Sequence, residues 1–390
     1  MEVIVLAGGL GTRLRSVVHD IPKCMAPIGE QPFLAWLLAW LCRYPVNHIV
    51  FSVGYLREQI MDFLSARPWP FSYDFAVEEQ PLGTGGGIRL ALGYCKENQV
   101  FVVNGDTFYP VDLALMPSLA PVTLALKPLQ RFDRYGAVEL QGERVAAFHE
   151  KGYYEEGLIS GGVYALDRSR LDLSSLPGRF SFEKEVLEPL ALSGQLAGWV
   201  SDAYFIDIGI PEDYTRAQEE IPSWFAVRKA SDAVLSSPAD TLFLDRDGVL
   251  NKLLVGSYVT RWDDFVWMPD ILPELSRWAG KFNHIILVTN QRGVGRGLMT
   301  DADLARIHAR MMSRILETGG RLDLILTCTA ISEEDPRRKP HPGMYYEAQA
   351  LLGDLGACVM LGDSDSDEAF ARNCGMDFIR LRPEAVSSGF

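Results

Sequence analysis

The 390-residue sequence has no uninterrupted apolar run approaching the roughly 18 residues a membrane span requires. Its longest such stretch, Phe33 to Cys42, holds Trp36 and Trp40 and stops at Arg43, which predicts a buried helix instead. No basic segment or cleavage site stands before the strand-like run Val3–Ala7, so the protein is expected in the cytoplasm and away from membranes. Cysteine is sparse: the six, at positions 24, 42, 95, 328, 358 and 374, include no CxxC pair and read as reduced, buried thiols. Positive charge is also in deficit, with 37 Lys and Arg against 51 Asp and Glu. The resulting net charge of −14 excludes nucleic acid as the main partner. Small phosphorylated substrates remain open, because local clusters of Arg, Lys and backbone N–H bind them on an acidic protein. No hexapeptide repeat follows residue 220, which excludes a β-helical tail. Nothing in the sequence fixes an oligomeric state, and a homo-oligomer is compatible with it.

What is present is a steady alternation of apolar strand-like runs with helical patterns, the signature of α/β architecture. Candidate strands are Val3–Ala7, Ile49–Val53, Val100–Asn104 and Val122–Leu126, then Thr241–Leu244, Ile285–Thr289, Leu324–Cys328 and Cys358–Leu361. Several end in Gly or Asp clusters, and the carboxyl ends of parallel strands are where open α/β sheets bind ligands. Between the two sets, a helix over Tyr214–Glu220 is expected to stop at Pro222, with Ser236-Ser237-Pro238 closing the interval. The length also favours two domains. The expected division is a first domain over 1–221, a linker over 222–239 and a second domain over 240–390.

The first set of motifs opens with Leu6-Ala7-Gly8-Gly9-Leu10-Gly11-Thr12-Arg13 between a strand and a helix. Such glycines let backbone N–H groups approach phosphate, and Arg13 offers a fork for polyphosphate. The pattern has neither the Gly-Lys-Ser/Thr of a Walker loop nor GxGxxG spacing. After it come Pro22-Lys23, Glu79-Gln80, Leu82-Gly83-Thr84-Gly85-Gly86, Asn104-Gly105-Asp106, Glu150-Lys151, Gly161-Gly162 and Ile206-Asp207-Ile208-Gly209. This ordered set resembles the sugar-1-phosphate nucleotidyltransferase family over residues 1–220, and in wording the D-glycero-D-manno-heptose 1-phosphate guanylyltransferases within it. The resemblance implies a Rossmann-like, GT-A-like mixed sheet. It also implies that Leu6, Ala7, Gly8, Gly9, Gly11, Thr12, Arg13, Glu79, Gln80, Gly83, Thr84 and Asp106 bind nucleotide. Asp106 and Asp207 would hold Mg²⁺, Arg13 and Lys23 would neutralise the triphosphate and sugar phosphate, and Glu150, Lys151 and Gly162 would line the sugar side. The bland alternative for Asp106 is a turn or cap residue, and for Glu150-Lys151 a surface ion pair.

The second set begins with Leu242-Phe243-Leu244-Asp245-Arg246-Asp247-Gly248, an apolar strand ending in two carboxylates two residues apart. On an extended chain both would face one phosphoryl group, Asp245 as nucleophile and Asp247 as acid and then base. Two acids facing a phosphoryl dianion need a cation. Val288-Thr289-Asn290-Gln291, Arg338-Lys339-Pro340 and Leu361-Gly362-Asp363-Ser364-Asp365-Ser366-Asp367 follow in order. Together these segments resemble the haloacid dehalogenase (HAD) superfamily, with a HAD-like Rossmannoid parallel sheet. The wording is that of its histidinol-phosphate and heptose-bisphosphate phosphatases. By that resemblance Thr289 and Asn290 bind the phosphoryl group, Lys339 bridges it to the nucleophile and Arg338 contacts substrate. Asp363 would hold Mg²⁺ with Asp245 and Asp247. Relatives often carry a Cys/His zinc loop before the Arg-Lys-Pro segment. Here Cys328 has no further Cys or His before His341, so no zinc is expected. His341 reads as a rigid loop residue.

Jointly the resemblances imply a two-activity, Mg²⁺-dependent enzyme acting on GTP and heptose phosphates. The same chemistries on another sugar phosphate or nucleotide, or one silent domain, are the alternatives that the residues leave open.

Overall fold

The computed structural model describes residues 1–9, 14 and 18–382. Contacts separate the chain into two compact units, the first ending at Glu219 and the second starting at Glu220.

In the first unit, Glu2–Leu6 (β1) is a β-branched run buried on both faces, as a central parallel strand requires. Phe33–Leu41 (α1) is buried at all nine positions, which matches its apolar composition on every face. The strands continue with His48–Val53 (β2), Ser72–Val77 (β3), Gln99–Asn104 (β4), Val122–Phe132 (β5), Gly136–Gln141 (β6), Arg144–Lys151 (β7), Tyr154–Asp167 (β8) and Leu196–Val200 (β9). They form one mixed sheet in the order β3-β2-β1-β4-β8-β5-β9-β7-β6. The parallel part places the carboxyl ends of β1, β2, β3 and β4 on one edge, where Ala7, Glu78 and Gly105 follow. Helix Gly83–Leu92 (α2) opens at Gly83, whose φ is +73° and whose added Cβ would lie 2.5 Å from the Phe180 carbonyl oxygen. Only glycine meets both conditions.

The helix Pro211–Ser236 (α3) runs past Pro222 without a break. The sequence had suggested a stop there, followed by a linker over 222–239. Proline removes one backbone donor at a cost of about 3 kcal/mol, but the following turns bury Trp224, Val227, Ala230 and Val234. The last three belong to the apolar core of the second unit. Buried Glu274 ties this stretch down further: it accepts from Ser231 and pairs with Arg228 and, at 2.7 Å, with Arg277.

The second unit is a five-stranded parallel sheet. Its strands are Thr241–Leu244 (β10), His284–Asn290 (β11), Leu324–Cys328 (β12), Cys358–Gly362 (β13) and Asp377–Arg380 (β14), in the order β12-β11-β10-β13-β14. Alternate side chains enter different cores, as the twofold period of a strand dictates. Leu242, Leu244, Ile285, Leu287, Val359 and Leu361 pack with helices Ile271–Ala279 (α4) and Asp301–Glu317 (α5). Phe243, Ile286, Val288 and Met360 pack with Gly343–Leu352 (α6) and Asp365–Asn373 (α7). The sheet is therefore covered on both faces, and its carboxyl edge is left for the site. Among the described residues no helix is long and apolar enough to cross a membrane.

Candidate active sites

The first site is a cavity of about 500 Å³ at the carboxyl edge of the mixed sheet. Its lining includes Leu6, Ala7, Gly8, Gly9, Lys23, Gly83, Thr84, Asp106 and Asp207, all expected there from the sequence. Gly11, Thr12 and Arg13 lie outside the described residues. Gly162 acts from behind: its φ is +74°, and an added Cβ would lie 2.5 Å from Nδ2 of Asn104, which does line the cavity.

Other expected residues lie elsewhere. Glu79 is exposed and pairs with Arg57 at 3.2 Å, and Gln80 is exposed beside it. Glu150 and Lys151 are exposed at the end of β7. The carboxylate that enters the cavity is Glu78, one residue beyond β3. Its Oε1 accepts from Ser52 Oγ at 2.9 Å and its Oε2 from the Leu82 N–H at 2.9 Å. The signal available for Glu78 was its place at a strand end, but β3 is not marked by an unbroken apolar run.

Lys23 Nζ lies 2.6 Å from Asp106 Oδ2 and 3.3 Å from Asp207 Oδ1. Burial, then the Asp106 charge, raises the Asp207 carboxyl above its ordinary value, against the pull of Lys23 and the Gly209 N–H. Two carboxylates held around one ammonium are a donor set that suits a hard cation as well. Cys24 is no nucleophile here, because burial and Asp106 push its thiol to about 12.

The second site stands at the ends of β10, β11 and β13. Lys339 Nζ donates to Asp245 Oδ1 at 2.7 Å and to Asp367 Oδ1 at 2.5 Å. The carboxylates of Asp245, Asp363 and Asp367 offer oxygens within 4.8 Å of one another, a cluster fit for a divalent cation. Asp367 closes a segment quoted from the sequence but was given no role there. It completes a capping box at the start of α7, with Oδ2 accepting from Ser364 Oγ at 2.6 Å, and its other oxygen serves the site. Gly248, at φ +86°, lets Asp363 come close: an added Cβ would lie 2.1 Å from Asp363 Oδ2.

Asp247 faces a different set of partners. Arg246 Nη2 lies 3.0 Å from both of its oxygens, Asn251 Nδ2 donates at 2.9 Å and Gln291 Nε2 at 2.7 Å. The chain has left the strand after Leu244, so i, i+2 alternation no longer holds, and the carboxylate cluster takes Asp367 in place of Asp247. Thr289 is buried and accepts from Gln291 at 2.9 Å, while Asn290 brackets the Lys339 backbone with two 3.0 Å bonds. Arg338 is turned to the loop, donating to the Ile331 carbonyl at 2.6 Å. Cys328 Sγ has Asp335 at 3.9 Å, and His341 Nε2 lies 2.9 Å from the Glu333 carbonyl.

Burial pushes Asp245 up to about 8 despite Lys339, and burial with the Asp367 charge lifts Asp363 to about 6. Burial opposes the charge of Asp247 too, but Arg246 and the amide donors outweigh it and hold this carboxyl below its ordinary value. Burial and the Arg246 charge push His308 down to about 4.

These raised values set a pH dependence. Asp245 and Asp363 bind protons in the folded state that they release when unfolded above 3.8. Their contribution to stability is present below that pH and is lost as pH rises towards about 8. A bound cation reverses the penalty. In chelator, the melting transition of the second unit is therefore expected to fall across this window. Added Mg²⁺ should raise it more at pH 8 than at pH 5, and scanning calorimetry would refute this by showing the larger Mg²⁺ shift at pH 5.

Comparison with known proteins bears on both domains. A family model for nucleotidyl transferases matches residues 2–223, and a HAD-hydrolase-like model matches residues 336–383. The chain is 46% identical over 226 residues to the D-glycero-alpha-D-manno-heptose 1-phosphate guanylyltransferase of Aneurinibacillus thermoaerophilus, covering 57% of this chain and 98% of that one. The crystal structure of HddC from Yersinia pseudotuberculosis complexed with GMP-PN is 37% identical, with a TM-score of 0.51, over 56% of this chain and 98% of its own. D,D-heptose 1,7-bisphosphate phosphatase from B. bronchiseptica, solved with magnesium and phosphate, is 32% identical over 36% of this chain and 78% of its own, with a TM-score of 0.34. With a family model spanning more than half of its length, this chain belongs to the nucleotidyl transferase family, and it joins to that domain a second, HAD-like phosphatase domain.

Proposed function

We propose that the protein removes the 7-phosphate of heptose 1,7-bisphosphate and then transfers GMP from GTP to the heptose 1-phosphate so formed, giving GDP-heptose and pyrophosphate. The observation that carries this reading is that the first domain is similar to a heptose 1-phosphate guanylyltransferase and the second to a heptose 1,7-bisphosphate phosphatase, whose removal of the 7-phosphate would supply the first domain's substrate. The guanylyltransferase is assigned to residues 1–221 and the phosphatase to 240–390, joined through 222–239, a mostly helical stretch that adds Val227, Ala230 and Val234 to the second unit's core. With all six cysteines free and GTP as substrate, the cytoplasm is the fitting compartment.

Mg²⁺ would be held by Asp106 and Asp207 in one site and by Asp245, Asp363 and Asp367 in the other, where it would neutralise phosphoryl charge. In the transferase, the glycine backbone at Gly8 and Gly9 lies against the triphosphate and Lys23 balances its charge, so that the sugar phosphate oxygen meets the α-phosphorus in line. Glu78 supports guanine as the base. An ionised carboxylate only accepts, and of the nucleobases guanine presents N1–H and N2–H₂ side by side as donors. In the phosphatase, Asp245 attacks phosphorus and an aspartyl-phosphate forms. Lys339 balances charge on the nucleophile, and Asp247 handles the proton at the leaving oxygen.

The direct test is mass spectrometry of the purified chain with heptose 1,7-bisphosphate, Mg²⁺ and each nucleoside triphosphate in turn. GDP-heptose from GTP alone supports the reading, and phosphate release without nucleotide sugar would refute the transferase's substrate. For the base, Glu78→Gln is expected to lower kcat/KM for GTP about tenfold or more, as one acceptor becomes a donor. Preference over UTP should narrow with it; an unchanged GTP/UTP ratio would remove Glu78 from base recognition.

A further inference from the structure

Arg246 has no exposed surface, yet it lies between the two carboxylates of the phosphatase motif. Its Nη2 straddles both oxygens of Asp247 at 3.0 Å, and its Nη1 lies 3.3 Å from Nε2 of His308, on helix α5. The Nε has no hydrogen-bond partner among the described residues. A guanidinium carries protons on every nitrogen, so Nη1 donates and His308 Nε2 accepts, which requires a neutral imidazole with its proton on Nδ1. The guanidinium is thus held by two contacts, Asp247 at one end and His308 at the other. Without His308, the only hydrogen-bonding group among the described residues left to orient Arg246 is the carboxylate that Arg246 itself must orient.

We propose that His308 and Arg246 are positioning residues that fix the Asp247 carboxyl for proton transfer to the departing sugar oxygen. This rests on the phosphatase reading above. In the first step an Asp245 oxygen bonds to phosphorus and the phosphorus–sugar oxygen bond breaks. Its electron pair stays on the sugar oxygen, which takes a proton from Asp247; that carboxylate is ionised at rest and collects the proton from the monoanionic phosphoryl group of the bound substrate. In the second step water attacks the aspartyl-phosphate, phosphate leaves, and Asp247 takes the proton of that water. Asp247 passes that proton to the departing phosphate and is again ionised, so no other reactant is needed. Asn251 and Gln291 hold one Asp247 oxygen each, so Arg246 is the group that spans both and sets the plane of the carboxyl.

A misplaced proton donor harms only a leaving group that needs a proton. A sugar alkoxide does; a nitrophenolate leaves without one. The experiment therefore compares kcat of the full chain in Mg²⁺ on heptose 1,7-bisphosphate and on p-nitrophenyl phosphate. His308→Ala is expected to lower the first about tenfold or more and the second less than about twofold, within the range ascribed to general acid–base catalysis. His308→Gln, whose amide oxygen still accepts from Arg246, should recover most of the loss, and it also stands in should the alanine variant not fold. A ratio of the two kcat values that stays at the wild-type level, whether both fall or neither does, would overturn the proposal. Wild-type protein that hydrolyses neither compound would instead remove the phosphatase reading itself.

Discussion

Asp245→Asn abolishes phosphate release, by about 10⁴-fold or more, and leaves guanylyl transfer at the wild-type rate: this is the expected outcome of removing the nucleophile. An amide has the size of the carboxylate but cannot form the acyl phosphate. The substitution should not unfold the domain. Asp245 is one of three clustered carboxylates, and its charge is so costly there that burial pushes it up to about 8. Neutralising it relieves repulsion on Asp363 and Asp367, and Lys339 keeps its 2.5 Å partner Asp367. The second activity on the same chain serves as an internal control of folding. Phosphate release and GDP-sugar formation are measured on one preparation. Residual phosphatase activity above about one per cent would show that Asp245 does not attack phosphorus, since a 10⁴-fold loss corresponds to ~5 kcal/mol of barrier.

The mirror experiment is Asp106→Ala. Guanylyl transfer is expected to fall about 10³-fold, ~4 kcal/mol, with phosphate release unchanged. The argument is electrostatic. Asp106 and Asp207 share Lys23, with Asp106 the closer at 2.6 Å. Removing Asp106 deletes half of the carboxylate pair that would hold a cation against the triphosphate. It also lets Asp207 ionise more readily, because the Asp106 charge is second only to burial among the causes of its raised value. The loss should therefore appear mainly in kcat and resist added Mg²⁺. Full recovery at high Mg²⁺ would mean that Asp106 only tunes metal affinity, and an undiminished rate would exclude it from the site altogether.

Central strands were legible because their residues are apolar on both faces: Val3-Ile4-Val5 and Leu242-Phe243-Leu244 sit where the sequence put them. The antiparallel half was not. The hairpin of β6 and β7 is half exposed and broken by register shifts, so no period survives in it. In the sites, one residue decided what could be read. A strand alternates faces with every step, and the edge strand β3 gave no clear pattern, so its terminal carboxylate was placed at Glu79 when Glu78 is the inward one. Asp247 stands beyond the end of the strand at Leu244, where strand alternation no longer assigns a direction. Asp367 was hidden by doing two jobs at once, as helix cap and as lysine partner. Pro222 misled for another reason: local propensity favoured a stop, and the apolar spacing of Trp224, Val227 and Val234 outweighed it.

The strand order of the second unit also has a consequence during synthesis. The nucleophile's strand, β10, is made first but ends in the middle of the sheet, and Asp363 and Asp367 arrive only with β13 and α7. Every described residue lining the nucleotide cavity, by contrast, has been translated once Gly209 is added. As the chain leaves the ribosome it therefore passes through a stage with one site assembled and the other still waiting for its last carboxylates. A message cut short downstream of α3 would carry every described residue of the nucleotide cavity and none of the second site's carboxylates, and no truncation from that end does the reverse.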